Sequence, residues 1–232
     1  MTVDAAAKML DLLVKLLGAI IWPLVVLFLS IRFGPAITNF ISNLGEFSLK
    51  GPGFEASGKR EEAAAALAAA AVSHTEPNAA PGSAARDTRE AANVVSDVVT
   101  PRLIRRAGQA TVLWVDDNPD NNIHERQSLE ALGVNFVLAL STEEALGKLS
   151  AQSFDAVISD MDRPPDPQAG YTLLEKLRKA GNLTPYFIYS SSRSVAAQIE
   201  ARRRGATGCT NRPIDLFRMV LSVLGQPNGW PS

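Results

Sequence analysis

Two adjacent carboxylates and a third further along the chain are the residues whose types and spacing could do chemistry. Asp116 and Asp117 directly follow the apolar run VLWV, and Asp160 ends the similar stretch FDAVISD. Such runs are typical of strands buried in a parallel sheet, whose ligands bind at the carboxyl ends of the strands. For the Asp116–Asp117 pair alone, a solvated acidic turn is an equally good interpretation.

A cation is what would bring these carboxylates into one site. If the first and third strands are neighbours, Asp116, Asp117 and Asp160 meet at one edge and repel one another unless a cation lies among them. Mg²⁺, a hard ion that prefers oxygen ligands, suits that position. Two later stretches lead to the same edge, since PYFIYS ends at Ser190 and a fifth predicted strand leads to Arg212. They would add a hydroxyl and a positive charge.

The elements that must position these residues follow from the pattern after position 111. Short apolar runs alternate with helical segments, which indicates a parallel-sheet α/β domain. Ser141 to Glu144 form a capping box, and Gly133 and Gly181 are predicted to stop helices. The predicted strands are 111–116, 134–140, 154–159, 185–190 and 207–210, and the predicted helices are 119–132, 142–150, 170–180, 193–204 and 213–225.

This set of motifs resembles the receiver domain of bacterial response regulators, over about half of the chain. VDDN, SDMDRP with a later glycine at Gly170, PYFIYSS and GATGCTNRP occur in the order of that family. The resemblance implies a doubly wound, five-stranded parallel sheet of the flavodoxin-like type. It also implies a signalling module that accepts a phosphoryl group from a histidine kinase or other phosphodonor, rather than an enzyme.

The resemblance assigns a role to each candidate residue. Asp160 is similar to the phosphoacceptor aspartate, and Ser190 stands at the position of the switch hydroxyl. Arg212 stands where the family has a lysine and would be the counter-charge of the phosphate. The Mg²⁺ ligands would be the carboxylates of Asp116, Asp117 and Asp160 and the main-chain carbonyl of Asp162.

Three departures from the family pattern support a second hypothesis. Arg212 is planar and fork-shaped, so it is not equivalent to lysine at a phosphate site. Cys209 occupies the aromatic switch position, and the loop 160–170 is longer than usual. The alternative is therefore a degenerate receiver that acts at the membrane as a non-phosphorylated interaction or effector module.

Composition excludes several other classes of protein. The formal net charge is −1, from 23 Lys and Arg against 24 Asp and Glu, so we expect no nucleic-acid partner. The single cysteine, Cys209, excludes an internal disulfide and multi-cysteine metal sites. The two histidines, His74 and His124, are far apart in the sequence, which argues against zinc.

The N-terminal part contains an uncharged apolar run, residues 16–31, bracketed by Lys15 and Arg32. Its length approaches the roughly 20 residues that a bilayer requires, so we predict a single transmembrane helix over 14–33. A cleaved signal peptide is one rival, although no small-x-small site follows the run. A buried soluble helix is another, but Pro23 lies in its middle.

The remaining boundaries follow from composition. Before the span, residues 1–13 are predicted to extend its helix toward the N-terminus. After it, residues 34–60 are predicted to form a juxtamembrane segment, in which 47–56 contains a Gly-Pro-Gly turn between extended pieces. Residues 61–108 are an Ala-rich helical and flexible linker in which 61–72 act as a spacer outside any core. The receiver-like domain spans 109–225, and 226–232 form a tail.

Charge next to the span predicts its orientation. Lys and Arg are in excess on its C-terminal side, which places the receiver in the cytoplasm at the bacterial inner membrane. We expect output through an unidentified partner protein, and the membrane segment could form homo-oligomers.

Overall fold

The sheet is built around β1 (Thr111–Val115), whose sequence TVLWV sends alternate side chains to opposite faces. The computed structural model describes residues 52–74, 82–190 and 194–226. Within them, β1 pairs with β2 (Asn135–Ala139) and β3 (Ala156–Asp160), and β4 (Tyr186–Tyr189) and β5 (Gly208–Thr210) follow. All pairs are parallel and the order is β2-β1-β3-β4-β5, so the predicted doubly wound, five-stranded sheet is confirmed.

Helices connect the strands and also precede them. The predicted helix over 119–132 is a 3₁₀ turn (Pro119–Asn122) followed by a shorter α-helix, because Pro119 and the Asn-rich turn delay the regular helix. The predicted cap is present, since the Ser141 hydroxyl accepts a hydrogen bond from the Glu144 amide. The α-helices are α1 (Pro52–Ser73), α2 (Ser83–Val98), α3 (Pro101–Ala107), α4 (Ile123–Glu130), α5 (Thr142–Ala151), α6 (Ala169–Lys179), α7 (Val195–Arg203) and α8 (Pro213–Leu224).

The two faces of the sheet are covered by different sets of helices. Leu113 and Val115 pack on one face with α5, α6 and α7. Val112 and Trp114 point to the opposite face, where α4 and α8 form the core together with α1, α2 and α3. We call α1–α3 the helical extension, because it precedes the sheet in the chain.

The helical extension belongs to the core, and the prediction that 61–72 form a spacer outside any core is wrong. Leu67, Ala63 and Ala70 have no exposed surface. Alanine side chains are small enough to let helix backbones approach closely, so a helix with few large apolar residues can still be buried. The described residues from Glu55 onward form one compact unit.

Polar contacts fix the ends of the helical extension. The guanidinium of Arg60 donates to the Val99 carbonyl at 2.7 Å, which ties α1 to the end of α2. Thr100 caps α3 by accepting from the Leu103 amide. Arg106 donates to the Gly225 carbonyl, which joins α3 to the end of α8.

Of the predictions for residues 1–60, only the part from residue 52 onward falls on residues that the structure describes. Helix α1 begins at Pro52, so the predicted turn between extended pieces is wrong from that residue onward, because proline suits the first turn of a helix. Among the described residues, no helix is both long enough and apolar enough to cross a bilayer. The predicted span over 14–33 lies outside the described residues.

Candidate functional site

The acidic edge of the sheet begins at Asp116, the first residue after β1. Its carboxylate is almost fully buried and accepts hydrogen bonds from the Asn118 amide at 2.8 Å and the Asn122 side chain at 2.7 Å. The indole of Trp114 contacts the same carboxylate at 3.4 Å. Asp116 is therefore held in one orientation, whereas its neighbour Asp117 is exposed.

Asp160 ends β3, the strand that pairs with β1, and the structure brings the three predicted carboxylates together. Oxygens of Asp116, Asp117 and Asp160 all lie within 4.8 Å of one another. The set offers only hard oxygen donors at a spacing that one small divalent cation can bridge, so these residues fit Mg²⁺. Asp162, the predicted main-chain ligand, lines the same cleft.

Gly170 allows the chain after β3 to close against Asp160. A Cβ atom at position 170 would lie 2.9 Å from the Asp160 carbonyl oxygen and 3.1 Å from the Met161 Cα. The Gly170 amide donates to the Met161 carbonyl at 3.0 Å. Only glycine fits this close approach, which explains the later glycine of the sequence motif.

Burial and like charge both act on Asp160. Burial raises the pKa of its carboxyl to about 6, and the charges of Asp116 and Asp117 act in the same direction. A hydrogen bond from the Met161 amide and the positive charge of Arg163 lower the pKa in part. A cation between the carboxylates would favour the ionised form, because it reverses the sign of the local field.

The carboxylates form the floor of an open cleft of about 620 Å³. Most of its lining comes from the ends of β1, β3 and β4, as expected for a ligand site of a parallel sheet. One lining residue, His74, comes from the helical extension, where it directly follows α1. The lining residues are His74, Asp116, Asp117, Asn118, Asn121, Asn122, Asp160, Asp162, Tyr189, Ser190 and Asn211.

Ser190 lies where the sequence predicts it, at the end of β4 on the rim of the cleft. Its amide donates to the Thr210 carbonyl at 3.0 Å, and its hydroxyl hydrogen bonds the Cys209 thiol. Cys209 is buried in β5, and burial raises the pKa of its thiol. A small thiol thus occupies the position at which the family pattern has an aromatic ring.

Arg212 is at the same edge of the sheet, but its guanidinium does not line the cleft. It forms an ion pair with Glu90 of α2 at 2.9 Å and a longer one with Asp215 at 3.6 Å. The other predicted site residues gather around Asp160, whereas Arg212 is turned toward the helical extension. Its role as the counter-charge of a phosphate stays a prediction.

Arg163 is a residue of the site that the sequence analysis missed. Its side chain is almost fully buried and donates to the Ser159 hydroxyl at 2.7 Å, to the Thr142 hydroxyl at 3.1 Å and to the Asp160 carbonyl. Its Nε atom has no hydrogen-bond partner. This buried cation supports the loop that carries Asp160, and only its place three residues after the acceptor could have signalled it.

A second missed group lies beside the cleft. The His74 ring contacts the Glu125 carboxylate at 2.7 Å, and the Tyr189 hydroxyl donates to the same carboxylate at 2.9 Å. Glu125 is almost fully buried, although it is a charged residue on a helix. His74 lies within the stretch 61–108 that was predicted to be a helical and flexible linker, and its sequence context indicated no role.

Comparisons with known proteins agree with this geometry. Residues 112–223 match the sequence model of the response regulator receiver domain family. The chain is 27% identical over 118 residues to the sensor protein EvgS of Escherichia coli K12, and 26% identical over 117 residues to the sensor histidine kinase RcsC of Salmonella typhimurium. Each match covers 50% of this chain, but only 10% of EvgS and 12% of RcsC.

The solved structures that are similar to this chain include single receiver domains. The receiver domain of the Francisella response regulator 1452 is 26% identical, with a TM-score of 0.45, and the match covers 50% of this chain and 96% of that one. The strand order, the acidic edge and the family match all concern the same residues. Residues 112–223 are therefore a response regulator receiver domain, a module of two-component signalling.

Proposed function

We propose that the protein is a phosphoaccepting signalling protein in which Asp160 receives the phosphoryl group. The observation that supports this most directly is the position of Asp160: it is half-buried on the floor of an open cleft, with Asp116 and Asp117 beside it. A histidine kinase is the expected donor in the cell, since receiver domains accept phosphate from such kinases. Output would then pass through a partner protein.

The reaction requires little of the protein beyond positioning and charge. An oxygen of the ionised Asp160 forms a bond to phosphorus while the bond from phosphorus to the donor breaks, and the donor leaves with the electron pair. The Met161 amide, 2.7 Å from Asp160, and the carbonyl contact of Arg163 hold the acceptor in place. Mg²⁺, held by Asp116, Asp117, Asp160 and the carbonyl of Asp162, would neutralise the charge on the phosphoryl oxygens.

The test is phosphorylation of the full chain, purified in mild detergent, with acetyl phosphate and Mg²⁺. Intact mass should show one added phosphoryl group, and Asp160→Asn should abolish it. Asp97→Asn is the matched control, because Asp97 is an exposed carboxylate on α2, outside the cleft. If Asp160→Asn is still labelled, or if the wild type is never labelled by acetyl phosphate or by histidine kinases, the proposal is wrong.

The alternative function is a degenerate receiver that works by binding alone. The observation that favours it is the position of Arg212, whose guanidinium pairs with Glu90 and Asp215 rather than lining the cleft. Under this alternative Arg212→Lys restores labelling to a protein that acetyl phosphate otherwise leaves unlabelled. Under the first proposal both forms are labelled.

We also propose that the apolar run at residues 16–31 anchors the protein in the bacterial inner membrane, with the receiver domain in the cytoplasm. The support is the length of the run and the excess of Lys and Arg after it. The protein should stay with the membrane after alkaline carbonate extraction, and proteases added to spheroplasts should leave the receiver domain intact. Release by carbonate, or digestion from outside, would contradict the anchor or its orientation.

A further inference from the structure

The helical extension makes two polar contacts with the receiver domain, one in the cleft and one at the same edge of the sheet. His74 follows the last turn of α1 and lines the cleft, and Glu90 of α2 holds Arg212, the residue that precedes α8. Neither His74 nor Glu90 lies within the family match, 112–223. The extension therefore contacts the receiver domain beside the acceptor as well as through the apolar core.

The first contact leads to Ser190 through three side chains. Glu125 is 3% exposed, and a carboxylate this deeply buried requires hydrogen-bond partners. Its partners are the His74 ring at 2.7 Å and the Tyr189 hydroxyl at 2.9 Å. Tyr189 directly precedes Ser190 in the chain, so a shift of Ser190 is transmitted to the hydroxyl that Glu125 and His74 hold.

The second contact involves Arg212, a cation at the same edge of the sheet that does not line the cleft. Arg212 is 2.9 Å from Glu90, and both side chains are partly exposed. A phosphoryl group on Asp160 would compete with Glu90 for this guanidinium, because phosphate carries more charge than a carboxylate and accepts bidentate hydrogen bonds. The guanidinium now faces Glu90 and does not line the cleft, so it must turn away from Glu90 to bind the phosphate.

The two residues that a phosphoryl group would attract, Ser190 and Arg212, are thus the same two that connect to the helical extension. We infer that the extension is the element that responds to phosphorylation: Arg212 leaves Glu90 for the phosphoryl group, the His74–Glu125–Tyr189 contact shifts with Ser190, and α2 and the end of α1 loosen. This inference rests on the proposed function of Asp160. The apolar contacts of Leu67 and Val95 limit the response to loosening, without release of the helices.

Hydrogen exchange measured by mass spectrometry on the full chain tests the first half of this inference without phosphorylation. Glu90→Gln should speed amide exchange in α2 by about two- to fivefold, the effect expected from the loss of a partly exposed ion pair. Glu62→Gln is the matched control, since Glu62 is an exposed glutamate of α1. Unchanged exchange in Glu90→Gln would show that the ion pair does not hold α2 and would overturn the inference.

The second half is tested in the same protein with acetyl phosphate and Mg²⁺, with intact mass recorded on each sample. Phosphorylation should speed exchange in α2 and in residues 68–74, and Asp160→Asn should show neither change. In Glu90→Gln the change in α2 should be absent, because that ion pair is already broken, and in Tyr189→Phe the change at 68–74 should be absent.

If the mass shows phosphorylation but exchange in the extension is unchanged, this inference is wrong and the proposed function stands. If neither acetyl phosphate nor a histidine kinase adds a phosphoryl group, both are wrong.

Discussion

The receiver domain and the helical extension make the same core by different means. In the receiver domain, large side chains such as Trp114 and Phe217 fill the space between strands and helices. In α1, from Glu55 onward, the buried side chains are alanines and one leucine, Leu67. Periodic large apolar residues are visible in a sequence, whereas a buried alanine face has the same composition as a solvated spacer. A helix with high propensity and few large side chains can therefore still form part of the core.

Truncation of Leu67 is the strongest test of whether α1 is part of the core. Leu67→Ala removes a fully buried side chain, so the full chain should lose about 3 kcal/mol of unfolding free energy. Val72→Ala on the same helix should cost much less, because Val72 is 41% exposed. Urea denaturation measures both. Equal, small effects would show that α1 is a spacer after all.

The sequence predicted the receiver domain well because two periodicities and a set of motifs agreed there. All five strands, the position of Asp160 beside Asp116 and the stop at Gly133, with a φ angle of 99°, follow from local patterns. The predicted rim also includes Ser190, which lines the cleft.

What the sequence could not predict depends on contacts between distant residues. The burial of Glu125 depends on His74, which lies 51 positions earlier and outside the receiver motifs. The orientation of Arg212 depends on Glu90, and the burial of Arg163 depends on hydroxyls from two other elements. Charged residues look exposed in a sequence unless their partners are known.

Asp160 provides a test within the receiver domain, because the charged groups that shift its pKa all belong to that domain. Its pKa is raised to about 6 by burial first and then by Asp116, so ionisation at higher pH costs folding free energy. Without Mg²⁺, Asp160→Asn should stabilise the protein by about 1–2 kcal/mol at pH 7.5, a value reduced for the partial exposure of the group.

The pH dependence gives the sign of this effect. The penalty is fully present above pH 6, shrinks as the pH falls from 6 toward 3.8, and is absent below 3.8, where Asp160 is protonated in both the folded and the unfolded protein. In thermal unfolding with chelator, the difference between wild type and Asp160→Asn should therefore shrink as the pH falls from 6 and vanish below pH 3.8. A difference that is independent of pH would mean that repulsion at the acidic edge is not its cause.

Mg²⁺ should relieve the same repulsion. At ten times its Kd, the ion should stabilise the folded protein by about 1.4 kcal/mol, seen as a rise in Tm. Asp117→Asn should reduce the rise, whereas Asp97→Asn should leave it unchanged. The rise should also persist in Leu67→Ala, because the three carboxylates all belong to the receiver domain. If Leu67→Ala abolishes it, the acidic edge depends on the extension and the two regions are not separable.

The smallest expected effect concerns His74, the point where the two regions meet at the cleft. Its pKa is raised above 6.5, mainly by the hydrogen bond to Glu125 and in part by the charge of that carboxylate, while burial acts in the opposite direction. A raised pKa in the folded state means that the stabilisation by His74 is fully present below pH 6.5 and is lost as the pH rises through the folded-state pKa. His74 is 38% exposed, so solvent screening limits the contribution to less than about 1 kcal/mol.

His74→Gln keeps a hydrogen-bond donor but cannot be charged, so its unfolding free energy should fall below that of wild type at pH 6 and approach it at pH 8.5. Urea denaturation at the two pH values measures this, with His124→Gln as the control, because His124 contacts Gln127 rather than a carboxylate. A deficit that is the same at both pH values would assign His74 a packing role and show that charge does not contribute to its contact with Glu125.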